Sequence, residues 1–319
     1  MTNSIEVSGR NRRTFLKEMA GLGGAAVLGA TPQELLAQVA SKWKKQIGIQ
    51  LYTVGALLKK DYEGTVAKIA EMGYKEAEAS DPYNNMAPKD YKALLAKYGL
   101  KMHSTHAGAQ DGPDLEKQLE GQALMGIKYT IVSAPRPPAA AQGQRPRRPV
   151  RTVESVKRDA EQMNKYGKLL KKFGMKHLYH NHSFEFDKLE GSELTQYDVL
   201  LAETDPSVVI MEIDIGWAAV AGRDVIEMFK KHPGRYELWH VKDAGIKNLD
   251  PNTTPSQRQR AAKIVPIGQG DIDYKKVFAS AKLAGLKHFV IEQDGAGRES
   301  GDALADCRVA CQNLYKVLS

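Results

Sequence analysis

Histidines and acidic residues stand at the ends of four short apolar segments in the second half of the chain. The first segment ends at His180 and His182, the next ends at Asp214, and the last two carry His240 and Glu292. Imidazole and carboxylate groups from separate segments suit one divalent ion, such as Mn²⁺, Co²⁺, Mg²⁺, Fe²⁺ or Zn²⁺. Because neither cysteine of the sequence is near these segments, a thiolate zinc site is not expected.

A metal ion among these side chains could activate a sugar. Hydroxyl and carbonyl oxygens of the sugar would fill open positions, and the ion would acidify the C–H bond next to the carbonyl and hold the enolate oxygen. We expect Glu292 and His182 to move the proton, because Glu292 ends its segment and an imidazole titrates near neutral pH. Lys242 follows His240 by two residues, and it either stabilises a developing oxyanion or pairs with Asp243.

A repeated junction indicates the elements that position these residues. The form Gly–apolar–Lys occurs five times, beginning at Gly73, Gly99, Gly126, Gly174 and Gly285. Each junction follows an amphipathic stretch and precedes a short apolar run. This pattern predicts a helix that ends with a left-handed glycine and is followed at once by a strand. The first three junctions are 26 and 27 residues apart, which is the length of one strand–helix unit.

Eight strands are predicted in this way, and their order implies a parallel sheet. They cover residues 46–52, 75–80, 101–106, 128–133, 176–182, 208–214, 237–242 and 287–293. The sequence therefore predicts a single-domain α/β protein, a (β/α)₈ TIM barrel over residues 46–319. A doubly wound open sheet is the alternative, and it is disfavoured because no Gly-rich phosphate loop follows the first strand.

Two segments interrupt the regular spacing at the carboxyl side of the strands, where barrel active sites are built. Residues 135–151 follow the fourth strand and are rich in Pro, Ala, Gln and Arg, and residues 244–270 follow the seventh. The first segment is either a lid over the site or a loosely ordered insertion.

Seven motifs in order resemble the xylose-isomerase-like barrel superfamily, and most closely its sugar phosphate isomerase/epimerase branch. The resemblance covers the chain from about residue 46 onward and rests on IGIQLYTVG, GYKEAEAS, YHNHSFEF, MEIDIGWAAVAGRD, LWHVKD, PIGQGDID and VIEQD. It implies one divalent metal held by residues from strands five to eight. The matching ligands are His180, Asp214, His240 and Glu292, with His180 where many members have Glu.

The same resemblance implies which residues contact a sugar substrate. Glu185 is close to the place of a substrate-contacting Glu and is a reserve metal ligand, and Trp217 stands where other members have a His. We interpret Trp217 as a sugar-stacking wall, with a core residue as the alternative. The complete set of expected substrate contacts is Gln50, His106, Glu185 and Trp217.

The function implied is a divalent-metal-dependent sugar isomerase or epimerase that abstracts a proton next to a metal-bound carbonyl. A dehydratase or lyase on a keto-sugar, a 3-keto-glycoside or an inosose is the alternative, since the YHNH-type strand is similar to inosose-dehydratase-like members. A non-catalytic sugar-binding barrel is a third hypothesis. DNA-repair endonucleases share the superfamily, but they need three zinc ions and more ligands, so no nucleic-acid partner is expected despite a net charge of +8.

The N-terminus predicts export. Residues 10–30 read RNRRTFLKEMAGLGGAAVLGA, a basic region followed by a short, weakly hydrophobic run, as in a twin-arginine signal peptide. We therefore assign residues 1–30 to the signal and 31–45 to a linker, and we expect a periplasmic or secreted protein without a membrane anchor in its mature form. Cys307 and Cys311 are interpreted as packed, reduced thiols, and the oligomeric state stays open.

Replacing Arg12 and Arg13 together by Lys should block export, because the twin-arginine receptor reads the arginine pair. The fraction of protein in the periplasm, measured by cell fractionation, should fall to background. Arg10→Lys leaves the pair intact and is the matched control. A double variant that is exported at the wild-type level would show that this segment is not a twin-arginine signal.

Overall fold

The computed structural model describes residues 42–81, 83–134 and 150–319. The predicted signal peptide, most of the linker and nearly all of the 135–151 segment lie outside the described residues. Their proposed roles in export and as a lid therefore stay predictions.

The eight predicted strands are all present and form one parallel sheet. The barrel strands are β1 (Gly48–Gln50), β2 (Glu76–Glu78), β3 (Ser104–Gln110), β4 (Tyr129–Ser133), β5 (Lys176–His180), β6 (Val209–Asp214), β7 (Leu238–Val241) and β10 (His288–Ile291). Strand β1 pairs with both β2 and β10, and bridges from Glu76 to Lys101 and from Ala79 to Thr105 connect β2 to the β3 region. The predicted (β/α)₈ barrel is confirmed.

Helices surround the barrel and follow its strands. They are α1 (Gly55–Leu58), α2 (Tyr62–Glu71), α3 (Pro88–Lys97), α4 (Leu115–Met125), α5 (Val153–Leu170), α6 (Gln196–Glu203), α7 (Ile215–Val220), α8 (Val225–Lys231), α9 (Pro255–Ala261), α10 (Tyr274–Ala279), α11 (Ala281–Ala284) and α12 (Ala303–Val317). Short 3₁₀ turns lie at Leu51–Val54, Tyr83–Asn85, Lys171–Phe173 and Phe184–Phe186. The main apolar core lies between the sheet and these helices. No described helix is long and apolar enough to span a membrane.

The glycine junctions have the backbone conformation that the sequence predicts. All five junction glycines have positive φ values, between 71° and 106°. Left-handed backbone is costly for residues with a Cβ atom, so glycine ends each helix and lets the chain turn directly into the next strand. Both cysteines are free and buried in α12.

Side chains inside the barrel are arranged in levels, because successive residues of a strand alternate between its two faces. A small apolar cluster contains Leu178, Ile210 and Leu238 together with Tyr129. The side chains two and four residues after the three aliphatic members of this cluster are polar; Ile210, for example, is followed by Glu212 and Asp214. The barrel interior is therefore apolar at mid-height and strongly polar towards the carboxyl ends of the strands.

The segment 244–270, which interrupts the regular spacing of the predicted strands and helices, itself contains two strands and a helix. Strands β8 (Asp243–Gly245) and β9 (Lys263–Val265) form an antiparallel hairpin, with α9 between them. Asp243 holds this hairpin, since its carboxylate accepts hydrogen bonds from the backbone N–H groups of Gly268 and Gly270 at 2.8 and 3.1 Å. The hairpin covers part of the rim at the carboxyl ends of the strands.

Two junction glycines allow a direct test of this architecture. Gly174 and Gly285 both have left-handed backbone, but a Cβ on Gly174 meets nothing within 4 Å, whereas one on Gly285 lies 2.8 Å from the Cα of Gly234. Gly174→Ala should lower the free energy of unfolding by about 1–2 kcal/mol. Gly285→Ala should cost about 1–3 kcal/mol more, because it also overpacks the site. Urea unfolding measures both, and equal losses would contradict the close approach of the two backbones.

Candidate metal centre

The four predicted metal ligands come together at the mouth of the barrel. One ligand atom from each of His180, Asp214, His240 and Glu292 lies within 4.8 Å of the other three. Nδ1 of His240 is 2.8 Å from Oε2 of Glu292, and Nε2 of His180 is 4.0 Å from Oδ2 of Asp214. Four successive barrel strands thus deliver two imidazoles and two carboxylates to one point.

These residues fit a divalent ion. Ligand atoms around one ion lie at most about 4.4 Å apart when each bond is about 2.2 Å long, so the observed spacing needs only small adjustments. Nε2 of His180 faces this set, while its buried Nδ1 has no hydrogen-bond partner among the described residues and lies 3.5 Å from Glu212. Burial and the neighbouring imidazoles of His240 and His106 lower the pKa of His180 well below its usual value, and the neutral imidazole is the form that binds a metal.

Lys242 lies at the same point and neutralises the carboxylates. Its ammonium nitrogen is 2.8 Å from Asp214, 2.8 Å from Glu292 and 2.6 Å from Asp294. Burial alone would lower the pKa of Lys242, but the three carboxylates raise it above its usual value. The partner of Lys242 is therefore this group of carboxylates and not Asp243, which binds the hairpin. A role for Lys242 towards an oxyanion stays a prediction.

A second group of polar side chains lies one level deeper. His106 contacts Glu212 at 2.5 Å and Glu78 at 3.3 Å, and Nε2 of His240 is 2.9 Å from Glu78. Burial and the nearby carboxylate of Glu78 raise the pKa of Glu212 to about 7. One ligand atom each from His106, His180, Glu212 and His240 also lie within 4.8 Å of one another. The two sets share His180 and His240, so this deeper set competes with the outer one for them.

His182 and Trp217 lie beside the outer ligands. The His182 ring is 5.1 Å from the His180 ring and 6.2 Å from the Trp217 ring. Burial and the ammonium of Lys242 lower the pKa of His182 to about 4, which leaves its imidazole neutral at pH 7. Trp217 is buried and packs against Val220, while Lys242 lies 4.7 Å from the centre of its ring. Stacking of a sugar on Trp217 stays a prediction.

Two of the expected substrate contacts, Gln50 and Glu185, have hydrogen-bond partners within the protein, and their contact with a sugar stays a prediction. Gln50 is 1% exposed, and its amide nitrogen donates to Glu78 at 2.7 Å. The carboxylate of Glu185 accepts hydrogen bonds from Tyr179 OH and from the backbone N–H of His182, at 3.2 and 2.8 Å. This placement supports a role for Glu185 in shaping the turn after β5, and it gives no support to Glu185 as a reserve metal ligand.

A third group of possible ligands lies near the amino ends of the strands. It contains Glu76, His103 and His288. The two imidazole rings stack at 4.0 Å with an angle of 23° between their planes, so their in-plane lone pairs run nearly side by side. One ion cannot lie in the plane of both rings. We therefore interpret this group as a hydrogen-bonded structural cluster, in which His288 Nδ1 contacts Glu76 at 2.9 Å.

Sequence reasoning missed Glu78, Glu212 and Asp294 as members of the site. Alternation along a strand could have found Glu212, because it shares the inner face of β6 with Asp214. The same argument applies to Asp294, two residues after Glu292. Glu78 lies at the end of β2, and the sequence alone gives no sign that it faces His240.

Comparisons with known proteins show the family of this chain. Residues 66–308 match the model of the family described as the xylose isomerase-like TIM barrel. An inosose dehydratase of Geobacillus thermodenitrificans (strain NG80-2) is 28% identical over 253 residues, which cover 73% of this chain and 82% of that protein.

Two solved structures share the fold. A sugar phosphate isomerase/epimerase from Parabacteroides distasonis ATCC 8503 superposes with a TM-score of 0.64 at 22% identity, covering 85% of this chain and 94% of the other. The IOLI protein, whose crystal structure contains a zinc atom, gives a TM-score of 0.58 at 15% identity and covers 86% and 98% of the two chains.

We predict that the purified protein binds one divalent ion per chain in the outer set. Asp214→Asn, which retains an oxygen to cap α7, and His240→Ala should each lose the ion, because each removes a ligand. Glu212→Gln should retain it, since Glu212 belongs only to the deeper set. Elemental analysis measures all three, with melting curves to confirm folding. Metal lost from Glu212→Gln but kept in Asp214→Asn would place the ion in the deeper set.

Proposed function

Because this chain belongs to the xylose isomerase-like TIM barrel family, we propose that it is a divalent-metal-dependent enzyme that removes the proton next to a carbonyl group of a sugar or cyclitol. The observation that carries the proposal is the convergence of His180, Asp214, His240 and Glu292 within 4.8 Å. An ion held there would polarise a carbonyl oxygen and acidify the adjacent C–H bond.

The chain itself supplies groups that can move the proton. Glu292 can hold the ion through one carboxylate oxygen and leave the other for substrate. The His182 ring lies 5.1 Å from the His180 ring, and on this placement we propose it as the second group of the proton transfer, on another side of the sugar. Trp217 and Lys242 are buried, and electrostatic interactions are stronger in such surroundings than in water.

Return of the proton to the substrate would make the enzyme an isomerase or an epimerase. Epimerisation requires proton-moving groups on opposite faces of the sugar, and Glu292 with His182 would provide them. The fold shared with the sugar phosphate isomerase/epimerase is compatible with this outcome.

Loss of a neighbouring hydroxyl or alkoxy group would instead make the enzyme a dehydratase or lyase. The specific observation in its favour is His180, which takes the place of a carboxylate and is packed between His240 and His106, at 4.2 and 4.9 Å between ring centres. Of the two glutamates that the resemblance implies for an epimerase, only Glu292 then remains. The similarity to an inosose dehydratase supports the same alternative, with an inosose or a 3-keto-glycoside as substrate.

We also propose that the protein works outside the cytoplasm. The twin-arginine route carries folded proteins, so the barrel would acquire its ion before export. A small sugar-like molecule would be its ligand.

Solvent-deuterium exchange into a panel of keto-sugars and inososes tests the proposed proton abstraction. The wild-type protein with metal should incorporate deuterium next to the carbonyl. His182→Gln should reduce the exchange rate by about 10²–10⁴-fold while its metal content is unchanged, because it removes a proton-moving group and no ligand. His232→Gln, at the end of α8, is the matched control.

Mass spectrometry follows the exchange, and ultraviolet absorbance detects an unsaturated product. Deuterated but otherwise intact substrate, or its epimer, supports the isomerase or epimerase; an unsaturated ketone supports the lyase. If His182→Gln exchanges at the wild-type rate, His182 is a bystander. If the metal-loaded wild-type protein exchanges none of these substrates, the proposed chemistry is wrong.

A further inference from the structure

Glu78 is fully buried and is held by three neighbouring side chains. Its Oε1 accepts a hydrogen bond from the Gln50 amide at 2.7 Å and is 2.9 Å from Nε2 of His240. Its Oε2 accepts a hydrogen bond from the Ser104 hydroxyl. These partners come from β1, β3 and β7, so the carboxylate is fixed from three strands and has 0% exposure to solvent.

The orientation of the Gln50 amide is settled by the backbone. The N–H of Tyr52 donates to Oε1 of Gln50 at 3.0 Å, and a backbone N–H can only be a donor. The other end of the amide, its NH₂ group, must therefore face Glu78. Oε1 of Glu78 is in consequence an acceptor at this contact.

The same chain of donors places a hydrogen on Nε2 of His240. Because Oε1 of Glu78 accepts from Gln50, the short contact with Nε2 of His240 is satisfied when Nε2 carries the hydrogen and donates it. Nδ1 faces Oε2 of Glu292 at 2.8 Å, an oxygen that also accepts from Lys242, so Nδ1 carries a hydrogen as well while no ion is bound. An ion in the outer set would replace the hydrogen on Nδ1, and Nε2 would keep its own. Nδ1 faces the outer ligand set, and Nε2 faces the interior.

We infer that Glu78 is a positioning residue for the metal centre, which accepts the Nε2–H of His240 and so presents Nδ1 as the metal-binding atom. Gln50 serves the same purpose one step further away, since it keeps the Glu78 carboxylate in place. The arrangement is a carboxylate–histidine pair behind a metal ligand, which fixes both the tautomer and the angle of the ring. The inference rests on the proposed metal centre of the outer set.

An ion bound in the deeper set would give Glu78 a different role, with different measurable consequences. Glu78 Oε1 is 3.3 Å from His106, and the deeper set would take Nε2 of His240 as its ligand. If the ion bound there, Glu212 would be a direct ligand, and its loss would weaken binding at least as much as the loss of Glu78. The identity of the coordinating nitrogen and the comparison of Glu78 with Glu212 therefore separate the two roles.

The first experiment uses the wild-type protein loaded with zinc and labelled with ¹⁵N. Long-range ¹⁵N–¹H NMR spectra report which imidazole nitrogen carries hydrogen and which binds the metal. The expected spectrum shows His240 protonated at Nε2 and coordinated through Nδ1. Zinc on Nε2 would overturn the inference while leaving a metal centre in place. Failure of the wild-type protein to bind zinc or cobalt would contradict the proposed function itself, and the inference with it.

The second experiment measures cobalt affinity by competition with a chelator. Glu78→Gln should weaken binding by about 10–100-fold, because its amide can donate to Nε2 and so favours the wrong tautomer. Glu212→Gln tests the alternative role: with the ion in the outer set it should lose less affinity than Glu78→Gln, since Glu212 lies 3.5 Å from the same nitrogen without a hydrogen bond. Glu76→Gln, on the same strand but in the hydrogen-bonded cluster near its amino end, is the matched control and should bind within about threefold of wild type.

Two further variants complete the test. Glu78→Asp keeps the carboxylate and should recover part of the affinity. Gln50→Met removes the amide that fixes Glu78, and it should weaken cobalt binding even if Glu78→Gln does not fold. Equal cobalt affinity in wild type, Glu78→Gln and Gln50→Met would overturn the inference, as would an equal loss in Glu78→Gln and Glu212→Gln.

Discussion

Buried negative charge is the constraint around which the upper half of the barrel is organised. Glu78, Glu212, Asp214 and Glu292 are all at most 9% exposed, and each buried ion without a partner costs several kcal/mol. The ammonium of Lys242 offsets part of this charge through 2.8 Å contacts with two of them, and imidazoles face the others. A divalent cation would offset most of the remainder, so the group that enables the proposed chemistry would also relieve an electrostatic cost of folding.

The levels inside the barrel separate this charge from the opposite end. Leu178, Ile210 and Leu238 form the apolar cluster at mid-height, and residues two and four positions later on the same strands face the polar levels above it. The carboxylates above the cluster are buried, so their charges interact in a medium of low polarity. The short strands and tight glycine junctions matter here, since a shift of one residue in any strand would turn a ligand out of the barrel.

Metal ligands and the residues behind them form one connected network. His240 is its centre, because its two nitrogens face carboxylates on different levels, Glu292 above and Glu78 below. The backbone N–H of Tyr52 lies at one end of this network and acts through the Gln50 amide. The orientation of the His240 ring is therefore set by main chain in β1 and in the turn after it. A ligand held from a barrel strand in this way is positioned more precisely than one held from a loop.

The sequence by itself determined the eight strands, the left-handed glycines and the convergence of the four outer ligands, because these follow from local periodicity and from the rule that the carboxyl ends of barrel strands meet. Only the tertiary structure decided which carboxylates face one another. Glu78 and His240 are 162 residues apart in the chain, and Lys242 contacts Asp214 rather than adjacent Asp243. The alternation of side chains along a strand assigns each side chain to the inside or the outside of the barrel. Closure of the barrel and the stagger of its strands then set the height at which an inward side chain meets a partner.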